Sequence, residues 1–155
     1  MEYSLTISHP SLPTSEKLKL EFEELYAADF DFTRGKVMDS FLGLEVEQSE
    51  DGIKLHLDTY VVELLEEYRE YHRKFLKPKK VLMQPGLVLD KEDCPEAPDP
   101  VKQKFYRMMV AKIQFLAHWV RFDISYPAVQ LARFCSSAGQ LHWAALTQLM
   151  GYLSY

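Results

Sequence analysis

The chain has 155 residues, 47% of them hydrophobic, and a formal net charge of −5. That apolar content suffices for one packed domain and excludes a disordered segment; no apolar run nears the length of a membrane span, and two cysteines, Cys94 and Cys135, make no disulfide framework. The net charge hides a division, −11 over residues 1–71 and +6 over residues 72–155, so phosphate binding by the second half stays open, as does an uneven spread of charge without function.

Met1-Glu2-Tyr3 has neither a basic nor an apolar leader region, so no signal peptide is expected. With only two cysteines, a reducing intracellular compartment, cytoplasmic or nuclear, is the simplest expectation. Glu2 to Ser8 alternates weakly and predicts a strand. His9-Pro10-Ser11-Leu12-Pro13 breaks the chain. Thr14 or Ser15 then offers an N-cap for a helix whose apolar face is Leu18, Phe22, Leu25 and Tyr26. Asp29 to Lys36 reads as a connection, with room for a short strand around Phe30 and Phe32.

Leu42, Leu44 and Val46 point one way, and Glu45 and Glu47 the other. After a turn at Ser49-Glu50-Asp51-Gly52, Ile53, Leu55 and Leu57 alternate with Lys54, His56 and Asp58. This pattern predicts a hairpin with one buried face. Asp58 or Thr59 is the expected cap of the next helix, with a buried stripe of Val61, Leu64, Leu65, Tyr68, His72 and Phe75, ended by Lys77-Pro78. Val81 to Pro100 carries four prolines and reads as an extended tether between subdomains. Beyond it the pattern is helical. Phe105, Met109, Ile113, Leu116 and Val120 form one stripe. A second helix starts near Asp123 with Pro127 in its first turn. A third runs from about Gln140 to Leu153 with Ala145, Leu146, Leu149 and Leu153 inward.

These segments, in this order, resemble the copia-type LTR-retrotransposon reverse transcriptases. The resemblance rests on Thr33-Arg34-Gly35-Lys36-Val37 before Phe41-Leu42-Gly43, on Gly52-Ile53, and on Tyr60 and Leu64-Leu65. It continues through Tyr106-Arg107, Phe115-Leu116-Ala117, Arg121, Asp123 and Ile124, Arg133-Phe134, His142, Ala145 and Tyr152-Leu153. Each motif is short, and their order across more than a hundred residues carries the likeness. It implies that Phe41 to Asp58 is the hairpin holding the primer end and that the later helices form the thumb of a polymerase.

Departures from that pattern matter equally. The family's Thr-Arg-Pro-Asp-Ile is Val120-Arg121-Phe122-Asp123-Ile124 here, and a glycine expected in the first thumb helix is Ala111. Leu5-Thr6-Ile7-Ser8-His9 matches the sequence that follows the family's Tyr-Val-Asp-Asp. On that register the two metal-binding aspartates fall at Tyr3 and Ser4. Nucleotidyl transfer needs paired carboxylates to hold two divalent ions. The expectation is therefore that this chain holds no catalytic residues and no cofactor of its own, although the parent family uses Mg, and does not polymerise alone. The acids left at the hairpin, Glu45, Glu47 and Asp51, read as solvated charge. Tyr155 lies where the family would continue toward a ribonuclease H domain.

Candidate nucleic-acid contacts come from three places. The resemblance points to Phe41, Leu42 and Gly43, the glycine permitting close backbone approach or marking only a bend. The tract His72 to Lys80 places Arg73, Lys74, Lys77, Lys79 and Lys80 within nine residues, suited to phosphate contacts or to a helix dipole. Lys104, Arg107 and Lys112 would continue the positive surface along the following helix. Arg121 and Asp123 read as a local ion pair with an N-cap. His118, His142 and Cys135 lack the spacing of zinc ligands, and no nucleophile motif is present.

The expected architecture is α+β: a small antiparallel palm-remnant sheet with two helices, then a three-helix thumb-like bundle. Its divisions are a partial palm over 1–80, a proline-rich connection over 81–100 and a helical thumb over 101–155. The expected function is the template–primer gripping region of a retrotransposon RNA-directed DNA polymerase, binding an RNA or DNA duplex and no membrane. The alternatives are a nonenzymatic nucleic-acid-binding module and a protein-interaction fragment that self-associates through an uncovered palm face.

Overall fold

Alternating side chains between Leu44 and His56 fold into the hairpin that their period demands. The computed structural model describes residues 5–7, 15–30, 39–49 and 52–155, with backbone alone for 5–7, 15–19, 23 and 26. Four strands form one antiparallel sheet: β1 (Leu5–Ile7), β2 (Ser40–Phe41), β3 (Leu44–Ser49) and β4 (Gly52–His56), in the order β1-β4-β3-β2. In the β3–β4 register, Val46 faces Leu55 and Gln48 faces Ile53 on one side of the sheet. The other side sets Glu45 against His56 and Glu47 against Lys54. Leu44 and Val46 are buried, so the apolar side is the covered one. β1 pairs with β4 and lies at the edge of the sheet among the described residues. α1 (Ser15–Asp29) leaves Phe22 and Leu25 largely exposed.

The chain divides into two compact units, Ser4–His56 and Leu57–Tyr155. The division falls just after β4, whereas the sequence pattern suggested the proline-rich stretch. The second unit holds α2 (Asp58–His72), α3 (Pro100–Trp119), α4 (Ser125–Ala132) and α5 (Gln140–Leu153), with short 3-10 turns at Lys91–Asp93 and Phe122–Ile124. The fold class is α+β, a small sheet and then a helical bundle.

Within the bundle the predicted stripes are the core. Met109, Ile113 and Leu116 of α3 and Ala145, Leu146 and Leu149 of α5 are all at most 2% exposed. Each of the larger side chains, Leu, Ile or Met, contributes roughly 1.5–3 kcal/mol by leaving water. Tyr60 meets Phe115 at one end of the α2–α3 pair and Tyr71 stacks on Phe105 at the other, so these helices run antiparallel. The Asp99 carboxylate accepts the Val101 and Lys102 N–H groups, and Pro100 follows at N1, an N-terminus built from side-chain capping and a fixed φ.

Three local expectations need correction. The N-cap of α2 is Leu57, one residue before the expected Asp58. α2 ends at His72, and Phe75, expected in its buried stripe, is 97% exposed. Arg73 takes the left-handed conformation (φ 49°, ψ 36°) and its N–H bonds back to the Glu70 carbonyl, ending the helix. The reason lies downstream. His72 sits beside Trp143 near the start of α5, whereas the Lys79 N–H donates to Gly151 near its end. Those two levels of α5 are about 12 Å apart at 1.5 Å per residue, so the chain must reverse after His72 to reach the second.

The third correction concerns the proline-rich stretch, which is packed and not a free tether. Gln148 Nε2 donates to the Val81 carbonyl, His142 Nε2 meets the Asp90 carbonyl, and Ser137 Oγ donates to the Pro95 carbonyl. Rising strap numbers meet falling α5 numbers, so residues 77–95 run as a strap antiparallel to α5. Leu89, within the strap, is buried.

Candidate nucleic-acid interface

Phe41 pairs with Leu44 across β2 and β3, leaving Leu42 and Gly43 as a two-residue turn. Both have positive φ, 51° and 85°, as the hairpin turns that match strand twist require. Leu42 is therefore in the turn, 67% exposed, and not an inward strand residue as its place in the alternation suggested. Gly43 takes the bend that a glycine permits. Phe41 is also exposed. The turn so presents two apolar side chains and a stretch of backbone to solvent. Behind it, His56 lies 3.3 Å from both Glu45 and Glu47, and Lys54 lies 3.4 Å from Glu47. The hairpin acids form a cross-strand charge ladder.

The basic tract belongs to the second unit, and the structure splits it. Arg73 and Lys74 follow the C-terminus of α2, with Arg69 and Phe75 beside them. Lys77 and Lys79 lie against Gly151: a Cβ on that glycine would stand 2.7 Å from the Lys77 carbonyl oxygen and 2.7 Å from Lys79 Cγ. Lys80 continues to the end of α5, its ammonium 5.8 Å from the centre of the Tyr155 ring. All five side chains are exposed.

On α3 the three cations part company. Lys104 and Arg107 lie on the exposed face with Ala111, Gln114 and His118, the i, i+3, i+7 series of one solvent stripe. Lys112 lies on another side. Its ammonium pairs with the Glu67 carboxylate of α2, while the Tyr60 hydroxyl donates to its backbone carbonyl at 3.3 Å. Lys112 thus bridges α2 and α3 at about one-third exposure, its charge shared with Glu67.

The remaining polar residues are structural. Arg121, 6% exposed, grips Asp123 with two bonds of 2.9 Å, and the Tyr152 hydroxyl donates to Asp123 at 3.0 Å. Burial pushes the Asp123 carboxyl up, but the Arg121 guanidinium and the Tyr152 hydroxyl outweigh it and hold the group below the usual carboxylate range. His142 uses both ring nitrogens, Nδ1 accepting the Gly139 N–H at 2.9 Å. Sequence reasoning missed a further buried exchange: the Gln103 amide donates to the Ala138 carbonyl at 2.9 Å and accepts the Ala138 N–H at 3.0 Å. A glutamine among apolar neighbours on the α3 stripe was the one signal of it. Among the described residues no three His, Cys, Asp or Glu side chains converge as a metal site, and Tyr3 and Ser4 carry no carboxylate. Among those residues, no helix is long and apolar enough to cross a membrane.

Two retrotransposon proteins are similar to this chain. The putative transposon Ty5-1 protein YCL074W of Saccharomyces cerevisiae is 29% identical over 96% of the chain and 46% of its own length. The retrovirus-related Pol polyprotein from transposon RE1 of Arabidopsis thaliana is 30% identical over 74% of the chain and 7% of its own length. The chain is related to retrotransposon polyproteins. It spans less than half of one of these relatives and a small part of the other. No family model matches the chain, and no solved structure matches it.

Proposed function

We propose that this chain is the template–primer gripping portion of a copia-type retrotransposon reverse transcriptase, a part that holds duplex and does not itself join nucleotides. The observation that carries this reading is the collinear similarity to two retrotransposon proteins across a chain that folds as hairpin, helix and helical bundle in that order. An exposed turn with Phe41, Leu42 and Gly43 backbone suits close approach to a primer end. The exposed cations Arg73, Lys74, Lys77, Lys79, Lys80, Lys104 and Arg107 suit phosphates and carry no base code, as a polymerase grip requires. Lys112 leaves that set because Glu67 already neutralises it.

Two measurements test the reading. Neutralising Arg73, Lys74, Lys77, Lys79 and Lys80 together should weaken duplex binding at least about tenfold and flatten its salt dependence, since each phosphate contact released adds to the slope. Unchanged binding removes the proposal. Mg²⁺-dependent primer extension by the purified chain would show instead that it carries a complete active centre.

A further inference from the structure

Phe75 is the most exposed large apolar side chain among the described residues, at 97%. Its ring touches no other aromatic ring there. The left-handed turn at Arg73 puts it out of the helix stripe and into solvent. Its surroundings are charged: Arg69, Glu70, Arg73 and Lys74 line a shallow depression of about 300 Å³ against the ring. Lys77, Lys79 and Lys80 follow in the chain. Leaving such a ring in water forgoes a burial that core phenylalanines obtain.

We propose that Phe75 is a stacking platform for one unpaired base of a single-stranded nucleic acid, with Arg69, Arg73 and Lys74 holding the flanking phosphates. This rests on the nucleic-acid reading above and deepens it, because it adds a single-strand contact to a duplex grip. Aromatic rings between cations are how sequence-tolerant strands are held: the ring takes the base face and the cations take the backbone. A membrane surface would need a broader apolar face than one ring, since anchoring scales with buried apolar area. Here the next residue, Leu76, is half-buried, and every residue that shares the depression with Phe75 is charged, so its apolar surface is one ring and the stems of charged side chains. Glu70 faces the same depression, where its carboxylate can accept from a base N–H, such as N3–H of thymine, and would repel a continuous phosphate run. That favours a base edge at this point.

The test uses the full chain with a labelled oligothymidylate, an abasic strand of the same length, and a blunt duplex, each at low and moderate salt. Phe75→Ala should weaken oligothymidylate binding about 5- to 100-fold and leave abasic-strand binding and the salt slope unchanged. Phe75→Trp should restore the affinity. Because the side chain is exposed, neither variant disturbs folding. Equal losses on both strands, or no loss on oligothymidylate, overturn the stacking site. So does a Phe75-dependent affinity for phosphatidylserine vesicles with strand binding unaffected. If the unaltered chain binds neither strand nor duplex, the gripping role falls as well. If it binds with steep salt dependence while Phe75→Ala is neutral, the stacking site alone falls.

Discussion

His142 of α5 meets the backbone carbonyl of Asp90 through Nε2 at 3.1 Å, fastening strap to helix from a fully buried position. Because Nδ1 accepts the Gly139 N–H, the proton must sit on Nε2, and a second proton has no room at Nδ1. Burial pulls the imidazole below its ordinary value of 6.5, although the Asp90 carbonyl and carboxylate of Asp93 pull the other way. His72, enclosed by the Tyr68, Tyr71, Phe105 and Trp143 rings, is lowered too, by burial and then by Lys74.

A base lowered by folding binds protons more readily in the unfolded chain. Stability is then full above about pH 6.5 and falls as the pH drops through that value toward the folded pKa. Urea melts between pH 8 and pH 5 should show this decline. His142→Ala should cost about 2–4 kcal/mol at pH 8 and flatten the decline. A melt that strengthens on acidification in this window contradicts the assignment.

Gly151→Ala is a contest between two effects of known size. Alanine in a helix interior gains about 1 kcal/mol over glycine. Here its Cβ would meet the Lys77 carbonyl oxygen at 2.7 Å, a backbone atom that cannot swing aside. The expected outcome is net destabilisation of about 1–3 kcal/mol by equilibrium unfolding. Gly139→Ala, whose Cβ would stand 1.6 Å from the Asp93 carbonyl oxygen, should cost more, because the strap must lift.

Leu42 holds a left-handed φ of 51° that a branched apolar side chain adopts reluctantly. Leu42→Asn supplies the residue such turns prefer and should raise stability by about 0.5–1 kcal/mol. If the turn grips a primer, the same variant should also weaken duplex binding. Thermal melts and duplex titrations on one preparation separate the two.

Lys112 and Glu67 are each about one-third exposed, so their pairing is screened. A double-mutant cycle should return a coupling of about 0.5–1 kcal/mol. Lys112→Ala should leave the salt slope of duplex binding unchanged, whereas Lys104→Ala with Arg107→Ala should reduce it by about 2.

Periodicity made the sheet and the bundle legible: Leu44, Val46, Tyr68, Ile113 and Leu149 are buried where their spacing puts them. Long-range backbone pairing was not legible. No local signal in Lys77-Pro78-Lys79 reports a bond to Gly151, and that bond ends α2 early and exposes Phe75. The four prolines between Val81 and Pro100 suggested a tether because proline lacks the N–H that packed backbone uses, yet the Lys79 N–H and the Val81 and Asp90 carbonyls bind the strap to α5. For the candidate interface the sequence located the cations but not their company. That Lys112 is taken by Glu67 depends on the antiparallel seating of α2 on α3, which a helical period does not specify.

α2, the strap and α4 all find partners on α5, the latest of these elements to leave a ribosome. Leu89 and Tyr68 are therefore made well before the surface that shelters them, and this unit cannot close cotranslationally ahead of its last helix. Until then its sticky inner faces stay open to chaperones, to proteases and to neighbouring nascent chains.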